Sequence, residues 1–301
     1  MPSPRNLTAA LGVVALCSRL LPACLGAVVF DSLGFEAPDY SATDLAGQPG
    51  GASQPWQHLF FPGGGGSTAV VQSAIAKSGV QAVQIDKAAG DDSRWAVNLS
   101  AGQIPSTPDQ LIVVEWDMRL KDTAPTAGLG PFLGVEVYDG DGPIGLAGSL
   151  GVDSQTLEVL YQQTGTGYFK ASTAEVSLGT WHHFRLVMDY TQKAYQAFFD
   201  GQEVVQEGFV DSWVDEFTDA DLSALAAGGD SGSVNALGTA YFDNFLIKEG
   251  SRLPGDYDVD GDVDQDDYTR WVLTYGESVA FAGLGADGNG DGVVDAADYT
   301  V

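Results

Sequence analysis

Apolar and polar residues alternate one by one through much of the first 250 residues, which is the pattern of strands with one buried face. The clearest case is residues 112–120, where the apolar face holds Ile112, Val114, Trp116, Met118 and Leu120. Similar stretches occur at 132–139, 157–161 and 167–171, and turn-forming residues separate them. This part of the chain is therefore predicted to consist of short strands.

Three consecutive strands joined by tight turns are predicted over residues 181–189, 194–199 and 203–205, and a last strand over 239–248. One helix is predicted over 219–227, with Thr218 as its N-cap. A stretch of this length with such alternation is within the range of a single all-β domain. Residues 28–249 are therefore expected to fold as a mainly β, two-sheet sandwich.

The pattern changes after residue 254, where acidic residues recur at alternate positions. A calcium loop of twelve residues takes oxygen ligands from its first, third, fifth, seventh, ninth and twelfth residues, and 256–267 and 287–298 both have this spacing. Gly261 and Gly292 are sixth, where the chain must turn sharply. The predicted Ca²⁺ ligands are Asp256, Asp258, Asp260, Asp262, Asp264 and Asp267 in the first loop, and Asp287, Asn289, Asp291, Val293, Asp295 and Asp298 in the second. Asp262 and Val293 are seventh and contribute their backbone carbonyls.

The two repeats differ in the segment on the C-terminal side of each loop. After the first loop, apolar residues recur at helical spacing, at Tyr268, Trp271, Val272 and Tyr275. After the second, only three residues remain before the sequence stops at Val301, too few for a stable turn. The second repeat is therefore interpreted as truncated, so calcium is expected to bind better in the first loop and docking on a partner is expected to be weak.

Two calcium loops without an incoming helix, each followed by an Asp-Tyr pair, resemble a type I dockerin over residues 254–301. The resemblance implies a small α-helical module with paired EF-hand-like loops and a cohesin-type module as partner. Val263 and Val294 are eighth, where paired loops place a short bridging strand. In that family the tenth and eleventh loop residues contact the partner, which implies Gln265, Asp266, Ala296 and Ala297.

The N-terminal 27 residues have the features of a secretory signal peptide. Arg5 precedes an apolar run, and small residues stand around Ala27, the expected cleavage position. Both cysteines, Cys17 and Cys24, lie in this segment, so disulfides are not expected in the mature chain. Lipoprotein anchoring at Cys24 is the alternative to full secretion. The predicted organisation is a signal peptide at 1–27, a sandwich at 28–249, a linker at 250–254 and a dockerin-like module at 255–301.

Charge supports this picture and limits the possible partners. Without its first 27 residues the chain has eleven basic and forty-one acidic residues, a net charge of −30. Such a field repels nucleic acid and anionic lipid and attracts divalent cations. No second apolar run is long enough for a transmembrane helix, so a soluble protein outside the cytoplasm is expected.

The sandwich resembles concanavalin A-like, laminin-G-like jelly-roll modules of secreted bacterial proteins. The resemblance rests on Trp181 to Gly201, on Phe35-Glu36 after the first strand, and on the closing residues 241–244. Related modules hold a structural calcium ion where the first and last strands meet, which implies Glu36 and Asp243 as candidates. The resemblance also implies polysaccharide as a possible ligand, bound by aromatic rings, with Trp95, Trp116, Tyr138, Tyr161 and Trp213 available.

Catalysis on the sandwich is a separate alternative. Glu115 and Asp117 resemble the start of the paired-carboxylate strand of laminarinase-like glycosidases, but the third acid of that pattern is replaced by Leu120. The expected function is a secreted, non-catalytic modular protein that docks through calcium-ordered loops and takes part in capture or breakdown of extracellular polysaccharide. Two alternatives remain open: a glycoside hydrolase or lyase on the jelly roll, and a calcium-stabilised structural protein of the cell surface.

Overall fold

A computed structural model describes residues 26–50, 54–60, 64–99, 111–123, 128–140 and 142–300. Within them the strands are β1 (Val28–Asp31), β2 (Gln57–Phe60), β3 (Thr68–Gln72), β4 (Ala82–Lys87), β5 (Ser93–Asn98), β6 (Leu111–Leu120), β7 (Pro131–Asp139), β8 (Gly145–Asp153), β9 (Glu158–Gln162), β10 (Phe169–Glu175), β11 (His182–Asp189), β12 (Ala194–Phe199), β13 (Gln202–Gly208), β14 (Asp219–Ala226) and β15 (Gly238–Gly250). The two α-helices are α1 (Ser231–Asn235) and α2 (Gln265–Thr274), and short 3₁₀ turns cover Leu33–Phe35 and Asp298–Thr300.

The strands form two sheets packed face to face. An eight-stranded sheet has the order β13-β12-β11-β6-β15-β4-β3, with β1 beside β15, and a seven-stranded sheet has the order β10-β9-β8-β7-β14-β5-β2. The strand pairs are antiparallel, for example β6 with β11 and β7 with β14. The expected mainly β, two-sheet antiparallel sandwich is confirmed, and so is the three-stranded meander β11-β12-β13.

The core lies between the sheets and follows the alternation of the sequence. In β6, the residues Ile112, Val114, Trp116, Met118 and Leu120 all belong to the main core cluster. Trp56, Trp95 and Trp116 are fully buried there, and each large apolar side chain contributes about 1.5–3 kcal/mol by leaving water. Trp95 and Trp116 are therefore core residues and offer no surface for a sugar ring.

The helix predicted over 219–227 is wrong, because this segment is the central strand β14. It pairs with β5 on one side and β7 on the other. Ala220, Leu222 and Ala224 point into the core, whereas the residues between them point outward. Pairing on both edges and burial outweigh the local helix propensity of an Ala- and Leu-rich segment.

Helix α2 confirms the helical spacing seen after the first acidic loop. Asp264 is its N-cap, and Asp267 at N3 completes a reciprocal capping box. The shorter helix α1 follows Asp230, whose side chain accepts hydrogen bonds from the backbone amides of Gly232 and Ser233. Both helix starts thus satisfy amides that a helix leaves unpaired.

The alternation predicted along the last strand fails at residue 244. The register of β15 against β6 shifts between Asp243 and Leu246, and Asn244 has φ of 52°. Phe242 and Phe245 are consequently both in the core, although even spacing would place them on opposite faces. Asp243, beside this bulge, is fully buried.

The N-terminal prediction falls mostly outside the described residues. Positions 1–25 of the predicted signal peptide, with Cys17 and Cys24, are among those not described, and at its end the carbonyl of Ala27 accepts from the amide of Glu249 at 2.8 Å. Within the described part of the chain, no helix is long and apolar enough to span a bilayer.

Candidate functional site

The two acidic loops form the same hydrogen-bond network, thirty-one residues apart. The first carboxylate of each loop accepts from the amides of the fifth and sixth residues. In the first loop Asp256 accepts from Asp260 at 3.2 Å and Gly261 at 3.1 Å. In the second loop Asp287 accepts from Asp291 at 3.1 Å and Gly292 at 2.9 Å. This carboxylate therefore folds each loop around itself in the same way.

The last carboxylate of each loop is also equivalent. Asp267 accepts from the amide of Asp264 at 2.8 Å, and Asp298 accepts from that of Asp295 at 2.6 Å. Each also accepts from the amide of the third residue, Asp258 at 3.3 Å and Asn289 at 3.0 Å. Two further hydrogen bonds also match between the loops. The backbone amide of the seventh residue donates to the side chain of the fifth, and the amide of the eleventh residue donates to the side chain of the ninth. The spacing seen in the sequence thus corresponds to one local structure formed twice.

The side chains of the first loop gather in two groups of three, and the members of each group are close enough to hold a cation. Within the described residues, oxygens of Asp256, Asp258 and Asp260 lie within 4.8 Å of one another, and a second such group is formed by Asp262, Asp264 and Asp267. The donors are all oxygens, which suits a hard cation such as Ca²⁺. Gly261 and Gly292 have φ of 105° and 90°, as their sixth position requires. The acidic clusters thus fit a calcium ion.

Burial, followed by the crowding of carboxylates, raises the pKa values of two aspartates in the first loop. Burial raises the pKa of Asp256 to about 7, and the charges of Asp267, Asp258 and Asp260 add to this shift. Burial also raises the pKa of Asp258 to about 6, although the nearby guanidinium of Arg185 opposes the shift. A bound divalent cation would relieve this repulsion, which is the physical basis of coupling between metal binding and folding.

The loops do not pair through their eighth residues as expected. Val263 is 56% exposed, whereas Val294 is buried. Val294 exchanges backbone hydrogen bonds with Gly276 and Glu277, and Val293 forms a bridge with Ser278. The second loop therefore pairs with the segment that follows α2, and contact between the loops is made by other residues. Trp271 Nε1 donates to the Asp295 carbonyl at 2.9 Å, and the Tyr257 hydroxyl donates to that of Asp298 at 2.6 Å.

The four residues expected to contact a partner are all exposed on the C-terminal segment, which we define as residues 251–300. They are Gln265, Asp266, Ala296 and Ala297. Apolar side chains beside them are also exposed by 46–67%, namely Tyr268, Val272, Leu273, Tyr275 and Tyr299. A surface of this kind is typical of a docking site.

The opposite side of this segment packs on the outer face of the eight-stranded sheet. Val259, the fourth residue of the first loop, is buried against an apolar group formed by Leu111, Val113, Val187 and Phe198. We call these five residues the seam. Val259 has φ of 58°, a conformation that is strained for a β-branched residue. Packing in the seam offsets this strain.

Three arginines reinforce the seam. Arg185 Nη2 donates to the carbonyl of Asp258 at 2.7 Å. Arg270 pairs with Glu203, and Arg252 with Asp189. Sequence reasoning missed this interface. The available signal was a cation, Arg185, on the outer face of a strand in a strongly acidic chain.

Glu36 and Asp243 are brought to the same turn between β3 and β4. Glu36 Oε1 accepts from the amides of Val80 at 2.6 Å and Gln81 at 2.8 Å. Asp243 Oδ2 accepts from those of Lys77 at 2.8 Å and Ser78 at 3.0 Å. Backbone amides thus satisfy several of the oxygens that were considered as calcium ligands. The jelly-roll calcium site stays a prediction.

Glu115 and Asp117 share the outer face of β6, as the alternation predicts. Glu115 Oε1 lies 3.0 Å from Lys248 Nζ. Asp117 accepts from Asn244 Nδ2 at 2.7 Å and lies 3.4 Å from His183 Nδ1. Arg119, on the same face of β6, donates to the carbonyl of Gly179. Each of these two carboxylates therefore already has a structural partner.

A different pair of acids lies on the outer face of the seven-stranded sheet. Glu136 and Asp221 are directly opposite each other on β7 and β14. Arg94 Nε donates to Glu136 Oε2 at 2.6 Å and to the Tyr138 hydroxyl at 3.0 Å, and Ser223 Oγ donates to the same carboxylate at 2.8 Å. Burial raises the pKa of Asp221 well above its ordinary value, and the charges of Asp219 and Glu136 contribute to this shift.

The same face carries a line of polar side chains across neighbouring strands. We call it the polar row; it comprises Gln162, Ser149, Glu136 and Asp221, each less than 9% exposed. Within the described part of the chain, Gln162 Oε1, Ser149 Oγ and Asp221 Oδ1 have no hydrogen-bond partner. Phe132 and Phe169 stack at 4.5 Å between ring centroids on this face. Sequence reasoning missed this group, because β14 was assigned as a helix.

Comparison with known proteins identifies no family for this chain. No family model matches, and no curated protein matches. Similar solved structures include a cellulose-induced protein, Cip1, which is 17% identical with a TM-score of 0.48, covering 66% of this chain and 92% of that one. An endo-β-1,4-glucuronan lyase from the fungus Trichoderma reesei is 13% identical with a TM-score of 0.47, covering 74% and 99%. Alginate lyase Aly36B is 10% identical with a TM-score of 0.42, covering 57% and 82%. Likenesses this distant carry no argument about function.

Proposed function

We propose that this chain is a secreted, calcium-binding modular protein whose C-terminal segment docks on a cohesin-type partner. The observation that carries the proposal is the hydrogen-bond network that the two acidic loops share at a spacing of thirty-one residues. Loops that place equivalent oxygens twice at the calcium-ligand positions are typical of paired calcium sites. Export and a role in capture of extracellular polysaccharide belong to this proposal.

The chemistry of docking depends on the loops. Without a cation the carboxylates repel one another, and Ca²⁺ would draw the ligands of each loop together. That order would hold α2 and the Asp298–Thr300 turn in place, with the exposed residues of both repeats on one surface. Because the tenth and eleventh residues are Gln265 and Asp266 in one loop and Ala296 and Ala297 in the other, the two halves of the surface would not be interchangeable.

Calcium titration of the full chain by calorimetry tests the proposal. We expect two binding events, of which Asp256→Asn removes the first and Asp287→Asn the second. The matched control is Asp122→Asn, an exposed carboxylate outside both loops, and it should leave both events intact. Absence of any calcium binding would refute the proposal. Capture by a panel of cohesin modules should depend on calcium and disappear with EDTA; two calcium sites without capture would favour the structural alternative.

A second candidate function, saccharide binding, is favoured by the polar row. Oxygens without hydrogen-bond partners are suited to a ligand with many hydroxyl groups. Glu136 already engages the guanidinium of Arg94, so this arginine is not available to a uronate. A neutral oligosaccharide is the class of ligand that this arrangement fits best.

Binding of neutral and uronate oligosaccharides, measured side by side, tests this second function. The full chain should prefer neutral sugars, and Glu136→Gln should shift the preference toward uronates because it releases Arg94. Glu115→Gln, on the other sheet, is the control. Binding to neither class would exclude saccharide recognition here. New reducing ends or unsaturated products would instead support the hydrolase or lyase alternative.

A further inference from the structure

Arg185 lies in the middle of β11 and points outward toward the first acidic loop. Its side chain is only 7% exposed. Nη2 donates to the carbonyl of Asp258 at 2.7 Å and lies 3.6 Å from the Oδ2 of the same residue. The guanidinium carbon also lies 4.3 Å from the centre of the Phe198 ring, which fixes its position.

Three other cations near Arg185 have their own carboxylates. Glu115 lies opposite Arg185 on β6, but it pairs with Lys248. The guanidinium of Arg270 stacks on the same Phe198 ring and pairs with Glu203. Arg252 pairs with Asp189. The carboxylate that remains for Arg185 is that of Asp258, the third residue of the first loop.

The second loop has no equivalent contact within the described residues. Its third residue, Asn289, donates from Nδ2 to Asp291 in its own loop at 3.1 Å. Arg270 is the only basic residue in positions 254–301, and it pairs with Glu203 and stacks on Phe198 of the seam. The two loops therefore share most of their internal hydrogen bonds but differ in one external cation.

We propose that Arg185 is a resident cation of the first loop, which keeps the loop on the sandwich without calcium and competes with calcium for Asp258. This inference rests on the proposed calcium function of the loops. A divalent ion bound by Asp258 lies close to the guanidinium, so the two cations repel each other. This coupling is reciprocal. Arg185 weakens calcium binding by a certain factor, and bound calcium weakens the contact of Arg185 with the loop by the same factor.

Calcium titration of the full chain carrying Asp291→Asn, which disables the second site, tests the competition. We compare Arg185→Met, which removes the charge, with Arg185→Lys, which keeps it. Arg185→Met should bind calcium at least about 5-fold more tightly, within the usual range of coupling between sites. Arg185→Lys keeps the charge but loses the planar stack on Phe198, so it should bind calcium less tightly than Arg185→Met does. The control is Arg119→Met, because Arg119 lies on the same outer face of the sheet, where it bonds Gly179.

A second measurement reports on the seating of the loop. Limited proteolysis in EDTA should cut the Arg185→Met chain around residues 250–256 several-fold faster than the parent, and calcium should protect both. If Arg185→Met does not fold, Arg185→Gln takes its place in both measurements. Unchanged or weaker calcium affinity of the charge-free variant would overturn the inference. Failure of every variant and of the parent to bind calcium would instead refute the proposed function.

Discussion

The two acidic loops have similar internal structures but different surroundings, so one molecule shows what the surroundings change. Their internal hydrogen bonds match, yet the first loop lies against the sandwich and the second pairs with the segment after α2. The fourth position shows the difference best. In both loops the fourth residue has a left-handed backbone conformation. It is Gly290 in the second loop, with φ of 72°, and Val259 in the first, with φ of 58°. A valine is accepted there because the seam buries it.

This difference shows that one loop sequence can serve two purposes. In the second loop, glycine adopts the required backbone conformation without strain. In the first, a strained valine joins the loop to the sheet, and Arg185 adds a charged contact beside it. The first loop therefore acts both as a candidate cation site and as the attachment of the C-terminal segment to the sandwich.

The largest expected effect comes from placing a charge in the seam. Val259→Asp buries a carboxylate among apolar side chains, so we expect the free energy of unfolding to fall by about 3 kcal/mol or the C-terminal segment to detach. Chemical denaturation measures the loss. Val263→Asp adds the same charge to the same loop at an exposed position and should change stability by less than about 0.5 kcal/mol. Equal effects at both positions would show that the seam does not form.

Calcium removal should affect the two loops unequally. The first loop is followed by the full helix α2 and the second by one 3₁₀ turn. We therefore expect Asp256→Asn to reduce the gain in Tm from calcium more than Asp287→Asn does. At a calcium concentration 100-fold above Kd, one intact site contributes about 2.7 kcal/mol. Thermal melts with EDTA and with calcium measure both gains, and a larger loss for the second loop would reverse the comparison.

Stability without calcium should rise as the pH falls through the neutral range. The pKa values of Asp256 and Asp258 are raised in the folded state to about 7 and about 6, above their unfolded values near 4. The folded state therefore binds more protons between about pH 4 and pH 7, so stability is lost as the pH increases across that window.

Allowing for solvent screening, the change should be roughly 1–2 kcal/mol between pH 5 and pH 8 in EDTA. Asp221 on the other sheet shifts in the same direction, so Asp256→Asn should reduce the slope without abolishing it. Saturating calcium should remove the contribution of the loop, because its ligands must be deprotonated to bind. A slope unchanged by Asp256→Asn would contradict the assignment.

The smallest effects come from exchanging the fourth residues. Gly290→Ala introduces a Cβ at positive φ, with no atom within 4 Å to clash, so its cost is the backbone strain of about 1 kcal/mol. Val259→Gly relieves strain of similar size but loses apolar packing, and its net cost should be about 1 kcal/mol. Combining each substitution with Phe198→Ala in a double-mutant cycle separates the backbone strain from the loss of packing. Val259→Gly should show an interaction energy with Phe198→Ala, and Gly290→Ala should show none.

Prediction from sequence succeeded where the signal was local or strictly periodic. The alternation along β6 correctly predicts which of its residues face the core, and the helical spacing from Tyr268 to Tyr275 correctly predicts a helix where α2 lies. It failed where neighbours along the chain are not neighbours in space. β14 is a strand because β5 and β7 pair with it, and Phe245 faces the core because a bulge at Asn244 shifts the register.

What the sequence by itself determined is the geometry of the two acidic loops. Each loop closes through hydrogen bonds between residues at most ten apart, so spacing alone predicts which oxygens converge. Only the tertiary structure decided which loop meets the sandwich, which cation faces Asp258, and which acids stand opposite each other on the seven-stranded sheet. Those contacts join residues far apart in the chain, such as Arg185 and Asp258, which are 73 positions apart, and Glu136 and Asp221, which are 85 positions apart. They depend on strand order and register, which no local pattern encodes.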